Sequence, residues 1–387
     1  MKQIYDPVHG FIQLTPLMIK IIDTPEFQRL RDLKQLGATY LVFPSATHSR
    51  LEHSIGVAHL AGETMRSLHA SQPELQITPR LIELVQIAGL IHDLGHGPFS
   101  HLYDHYVRPT NQPEHEERGC QIFTEMITTY SIPIGPEEVT QILRMICPKP
   151  EDKWIYEIVA NAKNQIDVDK IDYIIRDCYH LGLQTGGEFK RIITQCRVID
   201  DTICYPHKVQ YDIYALFAAR YRLHKQVYHH HAVIAYEFII VDILKEIMQT
   251  NPPFCDLTDA VVSCRLHSKF RKRQNDIAQR KHWRMVIEKR YNQEDLYKCD
   301  NAIAEIKACK NADTLFKVHR HTIGFVSGNK SNPLENIWFY ANSNPTIKYK
   351  LPPQEAGFIV PKQYQETIMR VYIENKEQWD TIKEELL

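Results

Sequence analysis

Apolar residues recur at helical spacing through the first two thirds of the chain. Residues 17–36 alternate apolar and charged positions three and four apart, and residues 81–94 are apolar on almost every face. The second segment is therefore expected to be a central helix that ends near Gly95 and Gly97-Pro98, because proline cannot continue it. The same spacing predicts further helices at residues 114–130, 136–146, 154–162, 169–177 and 211–249.

The pattern changes after Asn251-Pro252-Pro253. Short apolar stretches at residues 324–326, 337–340 and 347–349 predict strands between turns, and residues from 363 onward predict a closing helix. The predicted fold class is therefore mainly α. A helical core is expected over residues 1–250, and a smaller α+β region over residues 251–387 is expected to pack on it and to take part in assembly contacts.

Composition and charge narrow the class of protein. Of the 387 residues 43% are hydrophobic and 24% charged, which excludes collagen-like, low-complexity and disordered chains. With 46 Lys and Arg against 47 Asp and Glu the formal charge is -1, so an anionic partner must be held by a local cluster of cations. The chain has nine cysteines but no C-x-x-C pair, and it has no secretory signal. It also has no apolar run of the ~20 residues that span a bilayer. These features predict an intracellular protein, cytoplasmic or nuclear, with no membrane partner.

Histidines are crowded into one part of the chain, with nine of the 20 inside residues 48–115. His92-Asp93 ends the most apolar helix, where a buried carboxylate is costly unless a cation or a hydrogen bond compensates its charge. For this pair alone, a metal site and a hydrogen-bonded His–Asp pair are evenly matched interpretations. His53 and Asp169 extend the pair to two histidines and two carboxylates. Such a set suits Mn, Fe, Zn or Mg, and open positions on the ion would hold a water that becomes a hydroxide nucleophile.

These four residues resemble the H…HD…D signature of the HD-domain phosphohydrolase superfamily. The motifs at residues 6–10, 22–31, 34–37, 48–54, 87–101 and 166–182 are similar to the HD-domain deoxynucleoside triphosphate (dNTP) triphosphohydrolases that also carry a sterile alpha motif. The resemblance runs nearly continuously from Lys2 to His231 and returns weakly at residues 332–333 and 370–372. It begins at the start of the chain, so a sterile alpha motif domain is not expected.

The resemblance implies an HD-domain core and an enzyme that cleaves a dNTP into a deoxynucleoside and inorganic triphosphate. It assigns a divalent metal (Fe, Mn or Zn) to His53, His92, Asp93 and Asp169, with Mg²⁺ accompanying the nucleotide phosphates. It assigns acid–base catalysis to His96, His101, Asp104 and His115, with His101 as the general acid for the leaving 5′ oxygen. The implied substrate contacts are Gln35, Leu36, Arg50, His101, Lys170, Tyr173, Asp177, Arg220, His224 and Tyr228. Tyr228 would pack against the deoxyribose and exclude a 2′-hydroxyl, unless it is an ordinary core aromatic.

The resemblance also implies regulation by nucleotides. An activating site for GTP or dGTP would use Lys2, Asp23, Gln28 and Arg31, since a carboxylate can accept from guanine N1 and N2. A second nucleotide site would use Val42, Phe43, Arg191, Lys208 and His230. Where the family carries basic residues near that second site, this sequence has Pro206, Gln226 and His231. The chain is expected to form a homo-oligomer, either a dimer or a tetramer.

One basic segment has no counterpart in the family pattern. Residues 265–290 hold ten Lys or Arg against Asp276 and Glu288, which is typical of a solvated helix but also of an assembly contact or a nucleic-acid patch. Two other functions therefore stay open. The protein could be an HD phosphohydrolase acting on another nucleotide or nucleic-acid phosphoester, or a nucleotide-sensing or nucleic-acid-binding module.

Overall fold

Helices make up most of the chain that the structure describes, and strands form small sheets beside them. The computed structural model describes residues 2–149, 151–264, 268–308, 315–324, 332–352, 355 and 363–374. The helices there are α1 (Pro16–Ile22), α2 (Pro25–Gln28), α3 (Arg50–Ser71), α4 (Pro79–Ile91), α5 (His101–Tyr106), α6 (His115–Thr129), α7 (Pro136–Ile146), α8 (Val168–Leu181), α9 (Lys190–Thr194), α10 (Gln210–Leu223), α11 (His231–Met248), α12 (Ala260–Cys264), α13 (Ser268–Ala278) and α14 (Leu296–Ala308). The prediction of a mainly α fold is confirmed.

The strands pair in three sheets within the described ranges. They are β1 (Lys2–Asp6), β2 (Gly10–Leu14), β3 (Arg197–Ile199), β4 (Thr202–Pro206), β5 (Arg284–Tyr291), β6 (Phe316–Gly324), β7 (Trp338–Ala341), β8 (Asn344–Tyr349) and β9 (Gln365–Ile373). The first sheet is the antiparallel β1–β2 hairpin, the second has the order β3-β4-β7-β8, and the third has the order β5-β9-β6. Since β4 and β7 pair in parallel, strands from both halves of the sequence share one sheet.

The helices that position the site begin at specific capping residues. The Ser49 amide, just before α3, donates to Oε1 of Glu52 at 2.7 Å. Thr78 accepts from the amide of Leu81 at the start of α4, and Asp167 accepts from the amide of Lys170 at the start of α8. Each cap satisfies an amide that the first turn of a helix leaves unpaired. The caps of α3 and α8 lie within four residues of His53 and Asp169, whereas that of α4 fixes the far end of the helix that His92-Asp93 follow.

The sequence analysis was wrong at several helix boundaries. Residues 17–36 form α1, α2 and a 3₁₀ turn, because Thr24 is extended and caps a new helix that begins at Pro25. Residues 154–162 form only a 3₁₀ turn, Trp154–Glu157. Beyond that turn Oδ1 of Asn161 accepts from the amides of Lys163 and Asn164, which offers the backbone an alternative to helical bonds.

The predicted helix over residues 211–249 is interrupted. α10 ends at Leu223, a π-helical turn follows at His224–Tyr228, and α11 begins at His231. Apolar residues keep their helical spacing on both sides of this break, so periodicity alone did not reveal it. A π-helical turn inside a helical segment is often found at functional sites, and this one carries two of the predicted substrate residues.

The predicted closing helix is also wrong, because residues 365–373 form β9 at the centre of the third sheet. Ile368, Val371 and Ile373 are β-branched and buried there, which suits a strand paired on both sides. The predicted strands at residues 337–340 and 347–349 correspond to β7 and β8. Gly324 ends β6, while Phe325 and Val326 lie outside the described residues. Helix α3 and the β1–β2 hairpin were not predicted.

The described part of the basic segment is divided between helix and strand. Residues 268–278 form α13 and residues 284–290 belong to β5, so the expectation of one solvated helix is wrong beyond Ala278. Arg273 on α13 lies 3.3 Å from Glu246 and 3.9 Å from Asp242, both on α11. Residues 265–267 lie outside the described residues. None of the described helices has both the length and the apolar character needed to cross a membrane.

Gly89 allows α4 to pack closely on α3, and its substitution tests that packing. A Cβ at Gly89 would lie 3.2 Å from backbone atoms of Val57 and Ala58. Gly89→Ala gains about 1 kcal/mol of helix propensity, but overpacking costs about 1–3 kcal/mol, so we expect a lower free energy of unfolding in urea. Gln121→Ala on the exposed face of α6 is the control and should not destabilise. A Gly89→Ala protein more stable than the parent would contradict close packing there.

Candidate metal centre and adjoining cavity

Four side chains from three helical segments meet at one point. His53 lies in the first turn of α3, His92-Asp93 follows α4, and Asp169 lies in the first turn of α8. Nε2 of His53 lies 3.1 Å, and Nε2 of His92 3.4 Å, from Oδ1 of Asp169. The Asp93 carboxylate lies 3.4 Å from Nε2 of His92 and 3.7 Å from Nε2 of His53. The structure therefore brings the four predicted metal ligands together.

Hydrogen bonds behind the cluster fix the orientation of both imidazoles. Nδ1 of His92 donates to the Gly89 carbonyl at 2.8 Å, and its buried Nε2 has no hydrogen-bond partner within the described part of the chain. Nδ1 of His53 lies 2.8 Å from Oδ2 of Asp172. Partners of this kind set the histidine tautomer and leave Nε2 available to a metal ion.

Asp172 belongs to a buried charge network that connects the N-terminal hairpin to the site. Its carboxylate accepts from Nε and Nη2 of Arg176 at 2.9 and 3.0 Å, and lies 2.5 Å from Nε2 of His9. Nη1 of Arg176 donates to Asp6 at 2.8 Å. The sequence analysis gave none of these residues a role, although the motif at residues 6–10 contains Asp6 and His9.

Burial and neighbouring charges set the protonation of the cluster. Burial lowers the pKa of His53, but hydrogen bonds to Asp169 and Asp172 outweigh it and raise that pKa to about 10. Burial raises the pKa of Asp93, but the Arg50 guanidinium, 2.5 Å away, holds it well below its usual range. The pKa of Asp169 is also lowered against the effect of burial, by its hydrogen bond to His53 and by the nearby imidazole of His92. Both carboxylates are therefore ionised at neutral pH.

The residues present fit a divalent metal ion. Two imidazole nitrogens and two carboxylates converge, and the buried, unpartnered Nε2 of His92 faces the group. This mixed set suits Fe, Mn and Zn, and differs from the closed thiolate sets of structural zinc sites. Because metal ions bind the deprotonated imidazole, an ion there would displace a proton from His53.

The predicted acid–base residues lie directly beside the metal ligands. Nε2 of His96 lies 3.3 Å from Asp93, and the rings of His96 and His115 stack with centroids 4.0 Å apart. Nδ1 of His115 lies 2.9 Å from Asp104, which also accepts from Arg118 at 2.7 Å. The pKa of Asp104 is lowered, because hydrogen bonds from His115 and Arg118 outweigh the effect of burial.

His101 stands at the edge of this group, at the start of α5. Its ring centroid lies 5.1 Å from that of His96 and 5.5 Å from that of His115. Partial removal from water at the cavity wall and the charge of Arg50 lower the pKa of His101, and burial and Arg50 hold the pKa of His96 well below its usual range. Both imidazoles are therefore neutral at pH 7 in the protein alone.

A cavity of about 710 Å³ opens beside the metal ligands. It is lined by the metal ligands, by His96, His101 and His115, and by every predicted substrate residue. Those substrate residues are Gln35, Leu36, Arg50, His101, Lys170, Tyr173, Asp177, Arg220, His224 and Tyr228. Asp104 reaches the cavity through its bond to His115. The roles of these residues in binding remain predictions, but their positions converge on one space.

Three of the cavity residues are cations, and they differ in the hydrogen bonds and ion pairs that they make within the protein. Arg50 is paired with Asp93 and donates to Ser100 at 2.9 Å. Lys170 donates to Asp167 at 2.9 Å. Arg220 donates to the carbonyl of Gly324 at 3.0 Å, and its buried Nε has no hydrogen-bond partner among the residues described.

The position of Tyr228 is fixed by a chain of short hydrogen bonds. Its hydroxyl donates to Oδ2 of Asp177 at 2.5 Å, and Nε2 of His48 lies 2.6 Å from the other oxygen of that carboxylate. The rings of Tyr228 and His224 meet edge to face at 4.9 Å. The sequence analysis gave His48 no role; its place in the motif at residues 48–54 was the available signal.

The predicted regulatory residues lie on other surfaces. Lys2, Asp23 and Arg31 are exposed, and Nε and Nη2 of Arg31 donate to Gln28 at 3.3 and 3.1 Å. In the predicted second nucleotide site, the rings of Phe43 and His230 meet edge to face at 5.5 Å, with Val42 next to Phe43. Arg191 lies 3.1 Å from Asp212, and Lys208 is exposed. The two nucleotide sites stay predictions.

Comparisons with known proteins agree with this geometry. A family model described as HD domain matches residues 50–177. The chain is 34% identical over 408 residues to the deoxynucleoside triphosphate triphosphohydrolase SAMHD1 homolog of Dictyostelium discoideum, covering 99% of this chain and 79% of that protein. It is 34% identical over 439 residues to deoxynucleoside triphosphate triphosphohydrolase SAMHD1 of Homo sapiens (96% and 70%), and 33% identical over 445 residues to that of Gallus gallus (97% and 72%).

Asp172→Asn tests whether the buried network supports the metal ligands. The substitution removes the charge that holds His53 and Arg176, so we expect metal affinity to fall about 10–100-fold. Stability should fall by about 3–5 kcal/mol, because the Arg176 charge stays buried. Metal titration and urea unfolding measure the two effects. Asp152→Asn, which alters a buried carboxylate paired with Arg144 and not with a predicted metal ligand, should leave metal affinity unchanged. Equal affinity in both variants would rule out the supporting role.

We expect the free energy of unfolding to depend on pH because of Glu237, which lies on α11 in the cavity wall. Burial raises its pKa to about 7, whereas the unfolded carboxyl keeps a value near 4.3. The unfolded state therefore releases this proton first, and stability falls as the pH rises between those two values. We expect Glu237→Gln to match the parent at about pH 4 and to be more stable by about 3–4 kcal/mol at pH 8. Thermal unfolding at both pH values is the measurement, with Glu125→Gln on exposed α6 as control; a pH-independent difference would contradict the assignment.

Proposed function

This chain belongs to the SAMHD1 family of HD-domain proteins, and we propose that it is a metal-dependent dNTP triphosphohydrolase. The reaction adds water at the α-phosphorus of a dNTP and breaks its bond to the 5′ oxygen, giving a deoxynucleoside and inorganic triphosphate. One observation carries the proposal. A single cavity joins the histidine–carboxylate metal set to three cations and to the ordered Tyr228 ring.

The triphosphate requires local positive charge, since it carries about four negative charges and the chain as a whole is neutral. Arg50, Lys170 and Arg220 converge on the cavity from α3, α8 and α10. Arg220 is the residue most ready to bind, because its Nε has no hydrogen-bond partner within the described ranges. Mg²⁺ bound to the nucleotide phosphates would supplement these cations.

The metal ion, held by His53, His92, Asp93 and Asp169, would supply Lewis-acid charge at the reacting phosphate. His101 then protonates the leaving 5′ oxygen, since an alkoxide is a poor leaving group. The bound triphosphate itself helps, because negative charge beside His101 favours its protonated form. His115 is held by Asp104 and stacked on His96. It would return a proton to His101 after His101 has protonated the 5′ oxygen.

The sugar would lie between Tyr228 and the Gln35–Leu36 segment, which face the same cavity. Tyr228 cannot swing away easily, because Asp177 and His48 hold its hydroxyl in a buried network. A fixed ring against C2′ excludes a 2′-hydroxyl by steric contact. Selection of dNTP over NTP follows from this rigidity and not from a hydrogen bond to the sugar.

Activation by GTP or dGTP is part of the same proposal. Asp23 would accept from guanine N1 and N2, while Gln28 and Arg31, already bonded to each other, would donate to O6 or N7. The second nucleotide site would use Val42, Phe43 and His230, with Arg191 and Lys208 as its cations. Binding there would promote a homodimer or homotetramer.

Product analysis tests the proposed reaction. With dGTP as substrate and activator and Mn²⁺ or Mg²⁺ present, we expect deoxyguanosine and triphosphate in equal amounts, resolved by ion-exchange chromatography. Turnover of dATP should rise when GTP is added. A His92→Ala, Asp93→Ala variant should release no product. Monophosphate with pyrophosphate, or turnover of monophosphates while dNTPs stay intact, would overturn the proposal in favour of another phosphohydrolase.

A further inference from the structure

Three histidines outside the metal set converge beside the cavity, which two of them line. His319 and His321 project from the same face of β6, since alternate residues of a strand point the same way. His229 follows the π-helical turn that ends at Tyr228. One nitrogen from each of the three lies within 4.8 Å of the other two. The His229 and His321 rings stack at 4.2 Å, and the His319 and His321 centroids are 5.0 Å apart.

Four of the six ring nitrogens in this group are buried and lack a hydrogen-bond partner among the described residues. His319 and His321 are only 6% and 7% exposed. Both ring nitrogens of His321, and Nδ1 of His229 and of His319, lack a hydrogen-bond partner in the part of the chain that the structure describes. An imidazole always carries at least one N–H, and leaving a buried polar group unsatisfied costs about 1–3 kcal/mol. A structural histidine would normally donate to a carbonyl or carboxylate, so this group resembles a ligand set.

The three imidazoles are in the form that binds metal. Burial, and next the charge of Arg370, lower the pKa of His229 to about 4. Burial and the nearby His229 lower the pKa of His319 to about 3 and of His321 to about 2. All three are therefore neutral at pH 7, when a metal ion need not displace protons from them. Neutral imidazoles hold little attraction for an anion, which argues against a phosphate site here.

We propose that His229, His319 and His321 form a second metal site, with three nitrogen ligands and an open fourth position. Such sets hold Zn²⁺ at about 2.0–2.1 Å in other enzymes, and they also take Co²⁺ or Cu²⁺. The ligand atoms lie close enough for small side-chain rotations to reach that bond length. The open position faces the cavity, which His229 and His319 line.

The site would connect two parts of the fold. β6 belongs to the third sheet, whereas His229 is joined by one peptide bond to Tyr228, which forms the cavity wall. Arg370 of β9 already donates to the His229 carbonyl and to Glu288 of β5, so the backbone there is tied to the same sheet. A bound ion would add a side-chain connection and hold the end of the π-helical turn, and with it Tyr228, in place.

The test uses protein in which the first metal site is removed. In the full-length His92→Ala, Asp93→Ala variant, we expect about one Zn²⁺ or Co²⁺ per chain, with the visible spectrum of cobalt in a nitrogen-ligand site of low coordination number. X-ray absorption of the zinc form should show imidazole scattering from three histidines. Repeated with His115→Gln added, this arm leaves the three histidines intact, so it tests the proposal even if their own variants fail to fold.

Further variants in that background assign the ion to its ligands. Adding His321→Asn, or His319→Asn, should abolish the cobalt spectrum, while circular dichroism shows that the fold is kept. His69→Asn, on the exposed end of α3, should not change it. His115→Gln should also leave it unchanged, which distinguishes this site from the nearby cluster of His96, His101 and His115.

Two results would overturn the proposal. One is a folded first-site variant that binds neither zinc nor cobalt at micromolar concentration, and the other is a bound ion that is lost in His115→Gln but kept in His321→Asn. Neither result depends on turnover. Failure of the second metal site is therefore distinguishable from failure of the proposed hydrolase activity.

Discussion

The buried carboxylate of Asp172 holds the site together. It accepts hydrogen bonds from His53, His9 and Arg176, so helix α8, helix α3 and the N-terminal hairpin are joined at one point. Such a network is costly to desolvate, and it is tolerable only when every member is paired. Close backbone packing permits it, because a Cβ at Gly56 of α3 would occupy the space of the Asp172 carboxylate. The position of His53, a predicted metal ligand, is therefore set by a charge network whose other residues do not line the cavity.

A chain with almost no net charge can still bind a polyphosphate, because the cations are placed locally and partly withdrawn from water. Arg50 and Lys170 are held by Asp93 and Asp167, so their charge is balanced until a ligand arrives. Those pairings keep the cations ordered and prevent mutual repulsion across the cavity. The same arrangement explains why composition alone gave no sign of an anionic ligand. The positive charge available to a polyphosphate comes from Arg50, Lys170 and Arg220, and not from the net charge of the surface.

The residues predicted to hold a metal and to bind substrate lie together around one cavity. They could be selected from the sequence because they lie in long motifs whose resemblance to a known family is specific, and their roles stay predictions. Apolar periodicity also located α4, α6 and α7. It failed for α3, which is buried on most sides and carries His53, Gly56 and Ser54, so the polar and apolar positions do not alternate. It failed again at β9, where buried β-branched residues at close spacing fit a helix as well as a strand until the partners β5 and β6 are known. The Asp172 network and the His229, His319 and His321 cluster were not predicted, since each depends on residues far apart in sequence.

The π-helical turn at His224–Tyr228 explains why the C-terminal sheet matters to chemistry in the helical core. His224 and Tyr228 of this turn face the cavity, and its end is anchored by Arg370, which comes from β9 and reaches the carbonyl of His229. Arg220, one turn before it, is anchored by the carbonyl of Gly324 at the end of β6. Two different strands of one sheet therefore fix the segment that carries Arg220 and Tyr228. Because both anchors use backbone carbonyls, this coupling does not require a particular side chain at His229 or Gly324. The coupling therefore does not use the imidazoles of His229, His319 and His321, and the proposed metal ion would bind nitrogens that lack a hydrogen-bond partner among the described residues.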